Sequence, residues 1–351
     1  MKLHRLVPVC SITLSFVLIS SCQSVPGTSG TASLDSKDFK QWILPPEAPS
    51  PDDNKATPAR VELGKMLFFD PRLSRDNNTA CVSCHSPSFG WSDPSPVSIG
   101  FHGKPMAHAS MTIVNVGYNT HFMWDGRNTR LEDQALIPMK NPAIMNTDLD
   151  KFFKWASVNP GYQTAFAKAY PGEPVGPETL SKAIAVFERS VVRRDSPFDR
   201  WVSGEKDAMT PQQLRGLAIF TDQNKGNCVV CHAAPNFTDN GFHNVGLASF
   251  GAEKPDMGRY TRKPIAVLKG AFKTPTLREV EFTAPYFHDG SAKTLMDVVE
   301  HYSRGGEVKT NLSPNMKPLN LSQAEKEDLV AFLRALSGPF QSVAYPALPQ
   351  D

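Results

Sequence analysis

Four of the six cysteines in the 351-residue chain lie in two short motifs that both end in histidine. The first motif is CVSCH at residues 81–85, and the second is CVVCH at residues 228–232. Closely spaced cysteines can bind zinc, form a redox-active disulfide or attach a haem covalently. The chemistry that these motifs support should also explain why both end in histidine.

Covalent haem attachment gives a role to both cysteines and to the histidine of each motif. A structural zinc site would have to join two CxxC halves that are far apart in the sequence, and a thioredoxin-like pair uses one CxxC and leaves the histidines unexplained. In a c-type haem motif, two thioethers hold the porphyrin and the adjacent histidine binds the iron. We therefore predict two covalent haems. The predicted haem-binding residues are Cys81, Cys84 and the proximal ligand His85, and Cys228, Cys231 and the proximal ligand His232.

The N-terminus is typical of an exported protein. Lys2 and Arg5 precede a long apolar run, and no acidic residue occurs before Asp35. We predict a signal peptide of the lipoprotein type over residues 1–21, because LISSC resembles a bacterial lipobox and ends at Cys22. The protein would then lie in the periplasm or at the cell surface, with a lipid on Cys22 as its membrane anchor. A plain signal peptide is the alternative.

The net charge and the remaining cysteines give no support for a nucleic-acid partner or for a structural disulfide. Removing the signal peptide takes away Lys2 and Arg5, which account for the formal net charge of +2, and leaves a neutral mature chain. Neutrality gives no reason to expect nucleic acid as a partner. Cys10 lies in the signal peptide and Cys22 at the anchor, so no cysteine remains for a structural disulfide.

Similar sequences precede the two motifs. GKMLFFD begins at Gly64 and GLAIFTD at Gly216, so in both segments a phenylalanine follows the glycine by four positions and an aspartate by six. Thr57–Pro58 and Thr210–Pro211 are typical helix starts, the second with Gln213 in a capping box. We predict that each haem follows a helix that packs on its edge.

Two further helices are predicted, over residues 177–194 and 323–337. Ser322 and Glu325 form a capping start for the second, and Gly338 ends it. In the first, apolar residues recur with helical spacing at Leu180, Ile184, Phe187 and Val191. Alternating strand patterns are scarce, so we predict a mainly α fold.

The chain is long enough for two domains, since about 330 mature residues exceed what one hydrophobic core usually organises. We place the boundary in the loop SGEKDAM, residues 203–209. Residues 22–55 are the expected tether and N-terminal arm. Residues 56–205 are the expected N-terminal haem domain, and residues 206–345 the C-terminal haem domain.

The order of motifs resembles the bacterial dihaem cytochrome c peroxidase and MauG superfamily. PVSIG, WDGR and a glutamine follow the first haem motif, and TPTLR, TAPYFHDG and HYSRGG follow the second, so the resemblance runs from about Arg60 to Ser337. It implies two cytochrome-c-like domains with one covalent haem each, the N-terminal one peroxidatic and the C-terminal one for electron transfer. The implied activity is reduction of hydrogen peroxide by electrons from a small redox protein, a cytochrome c or a cupredoxin.

The resemblance assigns roles to three residues. Trp124 in FMWDGR matches a tryptophan between the haems, which gives electrons a short path. Gln134 in LEDQAL matches a glutamine that lines the peroxide pocket, and His288 in YFHDG matches a histidine close to the haems. The alternatives are a packing tryptophan, an exposed helical glutamine and a structural histidine.

The chain departs from the family pattern at Ile144 in NPAIMN. The family has a glutamate there that moves protons during O–O cleavage, and an aliphatic side chain cannot exchange a proton. Asp148 or an ordered water would then substitute, or the peroxide step is slow and serves a different purpose. A local shift of one or two residues in the match is the alternative.

A second departure is Tyr302, which stands where the peroxidases have a methionine ligand to the C-terminal iron. A tyrosine at this place is the MauG arrangement. An anionic oxygen ligand favours ferric over ferrous iron, so a haem with His232 and Tyr302 as ligands should be hard to reduce. Met296 or Met316 is the alternative ligand.

Two further ligand assignments are open. His102 in PVSIGFHG lies near the place where a distal histidine blocks the N-terminal iron of resting peroxidases, but one residue is inserted. Iron ligand, pocket lining and plain loop residue therefore all remain. Thr283 and Pro285 match backbone carbonyls that help to hold calcium between the domains, whereas the asparagine that joins them is replaced by Ala109. One calcium ion stays an open expectation.

Three functions therefore compete. The leading one is a peroxidase that takes electrons from a small redox protein. The second is a MauG-like enzyme that uses peroxide to oxidise a residue of a partner protein, which Tyr302 favours and Ile144 makes awkward. The third is a dihaem electron carrier without enzyme activity, which Ile144 alone favours.

Overall fold

The structure is a computed structural model that describes residues 34–350. The predicted signal peptide and Cys22 lie outside the described residues. Within the described part the fold is mainly α, as predicted, with one short antiparallel pair of strands. None of the helices of residues 34–350 has the length and apolar character that a membrane crossing requires.

The regular elements of this part of the chain are short. The α-helices are α1 (Pro58–Phe69), α2 (Leu131–Lys140), α3 (Leu149–Ala156), α4 (Pro160–Ala169), α5 (Pro177–Ser190), α6 (Pro197–Val202), α7 (Pro211–Thr221), α8 (Leu295–Ser303) and α9 (Gln323–Arg334). The strands are β1 (Phe242–His243) and β2 (Phe272–Lys273), paired with Phe242 opposite Lys273. The 3₁₀ turns are Ser36–Trp42, Asp52–Asn54, Pro71–Leu73, Cys81–Ser83, Pro87–Phe89, Phe101–Gly103, Val116–Tyr118, Cys228–Val230, Ala248–Gly251, Arg259–Thr261, Ala266–Leu268 and Val280–Phe282.

Two hydrophobic cores organise the described residues. The first core is formed by buried residues between Leu63 and Val191, and the second mainly by buried residues between Phe198 and Leu336. One CxxCH motif packs against each core. Helix α6 contributes to the second core, although it precedes the loop 203–209 in which we place the domain boundary. The exact domain limits stay a prediction.

Each core contains a close crossing of two helices at a glycine. A Cβ atom on Gly64 of α1 would lie 2.0 Å from the carbonyl oxygen of Ala183 in α5. A Cβ atom on Gly216 of α7 would lie 2.0 Å from the carbonyl oxygen of Asp328 in α9. Because only glycine lacks this atom, only glycine lets the two backbones approach so closely.

Aromatic pairs repeat at the same crossings. The rings of Phe68 and Phe187 are 5.1 Å apart with an interplanar angle of 57°, and those of Phe220 and Phe332 are 5.1 Å apart with an angle of 58°. All four side chains are buried. The repeated glycine and phenylalanine of the sequence therefore mark the same helix crossing in both cores.

The predicted helix starts are confirmed. Thr57 caps α1. Thr210 with Gln213, and Ser322 with Glu325, form the capping boxes of α7 and α9. These starts could be predicted because a cap depends on residues that are close together in the sequence.

The predicted ends of α5 and α9 are wrong, since both helices are shorter. Helix α5 ends at Ser190, and the chain beyond it is held by Asn115, whose side-chain oxygen accepts the backbone N–H of Arg193 (2.8 Å). Helix α9 ends at Arg334, and the carbonyl of Leu336 accepts a backbone N–H from the loop before the TAPYFHDG motif (3.1 Å). In both cases a distant segment forms a hydrogen bond with the chain just after the helix.

The two ends of the described chain pack against the core that is more distant in sequence. The N-terminal turn Ser36–Trp42 places the ring of Trp42 at 4.5 Å from that of Phe237 in the second core. Near the C-terminus, the ring of Tyr345 lies 4.8 Å from that of Phe69 in the first core. Both terminal segments therefore link the two cores.

Candidate functional site

The two CxxCH motifs fold into the same short turn. In each motif the backbone N–H of the histidine donates to the carbonyl of the first cysteine, from His85 to Cys81 at 3.0 Å and from His232 to Cys228 at 2.9 Å. All four cysteines between residues 34 and 350 are free thiols. Two free thiols beside an imidazole are the groups that attachment of a c-type haem requires.

Burial keeps the thiols of Cys81 and Cys228 and both imidazoles uncharged. It is the main cause of the raised pKa of the Cys81 thiol, and it raises the pKa of Cys228 to about 12. Burial also lowers the pKa of His85 and of His232 below the usual histidine value. Both imidazoles are therefore neutral near pH 7 and can each offer a nitrogen lone pair to iron.

The two histidines differ in how their rings are oriented. Nδ1 of His232 lies 2.9 Å from the carbonyl oxygen of Phe237. Donation from Nδ1 to this carbonyl leaves the lone pair on Nε2, which is the usual arrangement for a metal-binding histidine. Nδ1 of His85 is buried and has no hydrogen-bond partner among the described residues. The carbonyl of Phe237 therefore sets the tautomer in the second motif, whereas in the first motif the backbone of Met111 and Trp91 acts to raise the pKa of the imidazole without a hydrogen bond to Nδ1.

A cavity of about 240 Å³ opens beside the second motif. Its wall contains Cys228, Cys231 and His232 from the motif and Tyr302 from α8. Much of the remaining wall is apolar and includes Leu295, Val299, Leu329 and Leu333. Two free thiols, a neutral imidazole and an apolar wall around one cavity fit a covalently attached haem.

Tyr302 shares this cavity with His232, as the predicted ligand pair requires. Burial is the main cause of the raised pKa of its phenol, to which no hydrogen bond from a described residue contributes. Met316 also lines the cavity, whereas Met296 packs against the second core and is not part of the cavity wall. Of the two alternative ligands, the structure therefore brings Met316 to this cavity.

Trp124 lies in the wall of the same cavity and is held at two points. Its indole N–H donates to the carbonyl of Ala109 (2.8 Å), and the N–H of Ala109 donates to the carbonyl of His288 (2.8 Å). The carbonyl of Trp124 accepts the N–H of Lys273 in β2 (2.8 Å). These bonds fix both the ring and the backbone of Trp124 beside the second motif.

His288 is buried close to Trp124. The two ring centres are 6.2 Å apart, and the imidazole stacks on Phe272 at 3.5 Å. Burial lowers the pKa of His288 to about 4, so its imidazole is neutral at physiological pH. His288 can therefore donate or accept a hydrogen bond beside Trp124 without carrying a charge.

Gln134 and Ile144 do not line this cavity and lie with the first core. The side-chain nitrogen of Gln134, in α2, is 3.9 Å from the sulfur of Met123, which precedes Trp124. Ile144 is partly buried against the first core. Asp148 is exposed and its carboxylate caps α3, so it already has a structural role. The structure does not bring Asp148 to a buried pocket.

His102 lies at the surface. Its side chain is 66% exposed, and Nε2 is 3.3 Å from the carboxylate of Asp76. The ring stacks on Phe101 at 3.9 Å. The structure does not bring His102 together with the buried His85, so nothing in its surroundings supports a role as an iron ligand.

The three residues expected at a calcium site all line the second cavity. Thr283, Pro285 and Ala109 occur together in its wall. Ala109 has no side-chain oxygen, and its backbone N–H is used by His288. Backbone carbonyls are therefore the main oxygen donors that this group can offer to calcium.

Sequence reasoning missed two buried charged residues. Lys273 is 1% exposed and lines the second cavity. Glu188 in α5 is buried, has a carboxylate oxygen without a hydrogen-bond partner, and is close enough to Cys81 for its charge to raise the pKa of that thiol. Neither residue belongs to a ligand motif. The sequence feature that could have revealed them is a charged residue directly after a phenylalanine in an apolar stretch. Lys273 follows Phe272, and Glu188 follows Phe187.

Comparisons with known proteins agree with the order of motifs. The family model for di-haem cytochrome c peroxidase matches residues 58–207. The methylamine utilization protein MauG of Methylorubrum extorquens is 37% identical over 98% of this chain and 98% of that protein. Cytochrome c551 peroxidase of Pseudomonas aeruginosa is 32% identical over 99% of this chain and 97% of that protein. A solved MauG-like protein associated with microbial copper homeostasis has a TM-score of 0.79 at 30% identity, over 85% of this chain and 95% of that chain.

Proposed function

Because the chain belongs to the di-haem cytochrome c peroxidase family, we propose that it is a two-haem enzyme that reduces hydrogen peroxide with electrons from a small redox protein. The observation that carries this proposal is the cavity in which Cys228, Cys231 and His232 share a wall with Trp124. When bound, the haems supply the iron chemistry by which electrons reach peroxide.

The residues of the chain hold and orient the parts of this site. His85 and His232 are the residues that would bind the two irons, each beside its own pair of thiols. The carbonyl of Phe237 orients His232, and the carbonyl of Ala109 holds the indole of Trp124 in the cavity wall. The apolar wall excludes water and so strengthens the electrostatic interactions inside. Trp124, Gln134 and His288 are the proposed catalytic residues.

We also propose that the two haems have different roles. One CxxCH motif packs against each core, which supports one haem in each half. From the family resemblance, we assign the N-terminal haem to the reaction with peroxide and the C-terminal haem to electron transfer. The N-terminal sequence supports export to the periplasm and a lipid on Cys22. Thr283 and Pro285 support one calcium ion between the domains, although Ala109 lacks the expected side-chain ligand.

A second function is favoured by Tyr302. A methionine ligand suits a haem that passes electrons, whereas a tyrosine ligand favours ferric iron. Tyr302 shares the cavity with His232, and the relative from Methylorubrum extorquens carries the name MauG. The alternative is therefore a MauG-like enzyme that uses peroxide to oxidise a residue of a partner protein.

Mixing fully ferric protein with hydrogen peroxide and a reduced cytochrome c or cupredoxin separates these functions. Donor oxidation in proportion to the peroxide consumed supports the peroxidase. Oxidation of a residue in a partner protein, without oxidation of the donor, supports the second function. If peroxide is consumed neither with the reduced donor nor with a partner protein, both enzyme functions are contradicted, and the electron carrier remains.

A tryptophan pair gives the matched variants for this assay. We expect Trp124→Phe to lose most of the donor-dependent peroxide consumption, because the proposed electron path crosses this ring. Trp155→Phe changes another partly buried tryptophan, in α3, and should keep the activity. Equal activity in the two variants would remove Trp124 from the proposed path.

A further inference from the structure

Lys273 is a buried cation without a carboxylate partner among the described residues. It is 1% exposed, and its ammonium group donates to the carbonyl of Thr274, the next residue (2.8 Å). No carboxylate of residues 34–350 lies within 4.0 Å of it to form an ion pair. Lysines are almost never fully buried unless they are paired, because removal of the charge from water is costly.

The acidic side chain whose charge acts on Lys273 already has a partner. The charge of Asp239 acts on Lys273 from a distance, but its carboxylate lies 2.7 Å from Nε2 of His243. Burial lowers the pKa of Lys273 to about 8, so the ammonium form still predominates near pH 7. The position therefore holds a positive charge for which the described chain provides no dedicated anion.

The fold fixes where this charge lies. Lys273 is in β2, opposite Phe242 of β1, and its backbone N–H donates to the carbonyl of Trp124 (2.8 Å). It also lines the cavity that contains His232 and Tyr302. The charge of Lys273 also lowers the pKa of His232, so the ammonium group lies near the proposed second haem. The backbone of Lys273 lies next to the tryptophan of the proposed electron path.

We propose that Lys273 is the counter-ion of a propionate group of the haem attached through Cys228 and Cys231. Haem c brings two carboxylates, and the thioethers occupy a different part of the macrocycle, so a propionate is free to pair with a buried cation. Such charge-assisted hydrogen bonds are stronger than neutral ones. The assignment rests on the proposed two-haem function, and it makes Lys273 a positioning residue for the cofactor.

The pair would also adjust the second haem. A positive charge near the iron disfavours the ferric form, which carries more positive charge than the ferrous form. This effect opposes that of a tyrosine ligand, which favours ferric iron. Lys273 would therefore keep the second haem reducible by the donor in spite of Tyr302.

A redox titration of both haems in Lys273→Met and Lys273→Gln tests the assignment. Both variants remove the charge, and the glutamine retains a hydrogen-bond donor. We expect the ferric-to-ferrous equilibrium of the C-terminal haem to move about tenfold towards ferric, which is 59 mV for one electron, while the N-terminal haem changes little. Lys317→Met is the matched control, because Lys317 is also at the cavity but exposed, where solvent screens its charge.

Three results would overturn the assignment in protein that carries both haems. They are an unchanged C-terminal potential in the two Lys273 variants, an equal shift in both haems, and an equal shift in Lys317→Met. If the variants do not mature, the wild type still provides the test, because resonance Raman bands of haem propionates respond to hydrogen bonding. Bands typical of water-exposed propionates on both haems would also overturn it. A chain with fewer than two haems would contradict the proposed function instead.

Discussion

The two halves that carry the CxxCH motifs share a helix crossing but differ in the side chains around it. Gly64 and Gly216 make the same close contact with a carbonyl of the partner helix, and the phenylalanine pairs that follow have the same separation. The position after the second phenylalanine differs: it is Glu188 in the first half and Leu333 in the second. A repeated helix crossing can therefore support two haem sites while single side chains make them unlike.

The histidines show the same combination of likeness and difference. Their turns are alike, but the carbonyl of Phe237 orients His232, whereas Nδ1 of His85 has no partner among the described residues. The second half also places Tyr302, Lys273 and Trp124 around one cavity. The shared helix crossing therefore explains the likeness of the two halves, and we expect the cavity residues to set the properties of the second haem.

The largest expected effect is the loss of one haem from one half. Cys81→Ser with Cys84→Ser, or Cys228→Ser with Cys231→Ser, removes both thioether sites of one motif. We expect two covalent haems in the denatured wild type and one in each double variant, counted as pyridine haemochromes. A wild type with fewer than two covalent haems would break the comparison at its first step.

Ile144→Glu should give the next largest effect, and it acts on the first half. If Ile144 lines the peroxide pocket, a carboxyl group there restores proton transfer and should speed the reaction with hydrogen peroxide by about 10²- to 10⁴-fold. Stopped-flow absorbance of the haems measures the rate. Ile144→Gln is the control, since it has similar size and polarity but cannot exchange a proton in the same way. Equal rates in the Glu and Gln variants would place Ile144 outside the pocket.

The helix crossings should respond equally in the two halves. Gly64→Ala and Gly216→Ala each place a methyl group 2.0 Å from a backbone oxygen, so we expect each to lower the free energy of unfolding by about 1–3 kcal/mol. Denaturant titration of the haem-loaded protein measures this change. Gly176→Ala adds a methyl group with no atom within 4 Å and should cost less than about 1 kcal/mol. A large difference between the two crossings would contradict the shared scaffold.

The smallest expected effect concerns Glu188, a buried acid in the first half where the second half has Leu333. Burial raises the pKa of Glu188 to about 8 in the folded state, whereas the unfolded value is near 4.5. Between these values the unfolded chain has lost a proton that the folded chain keeps, so the stability of the wild type falls as pH rises.

Glu188→Leu, which copies Leu333, should remove this pH dependence. From pH 5 to pH 6 we expect the variant to gain about 1 kcal/mol over the wild type, within the limit of about 1.4 kcal/mol per pH unit. Unfolding titrations at the two pH values measure the gain. Glu62→Leu, on the exposed face of α1, should leave the pH profile unchanged. A gain that is independent of pH would show that Glu188 is already ionised in the fold.

Features that depend on residues close in sequence could be predicted. The CxxCH motifs, the capping residues Thr57, Thr210 and Ser322, and the mainly α fold belong to this group. Features set by distant segments could not. The end of α5 depends on Asn115, and the environment of Lys273 depends on its pairing with β1 and on Trp124.

The site shows the same limit. The order of motifs predicts Tyr302 and His232 as a ligand pair, and the two residues line one cavity. The repeat did not reveal that its glycines mark a helix crossing, because the contacting residues come from α5 and α9. The sequence also allows Asp148 as the group that replaces the family glutamate, but its carboxylate caps α3.

The central claim is that the second half differs from the first because Tyr302 faces the same haem as His232. A spectroelectrochemical titration of the wild type and Tyr302→Met tests it most directly. We expect the C-terminal haem of the variant to be reduced at potentials where the same haem of the wild type stays ferric. An identical potential in both proteins, together with a lower potential in Met316→Leu, would show that Met316 is the ligand and would contradict the account.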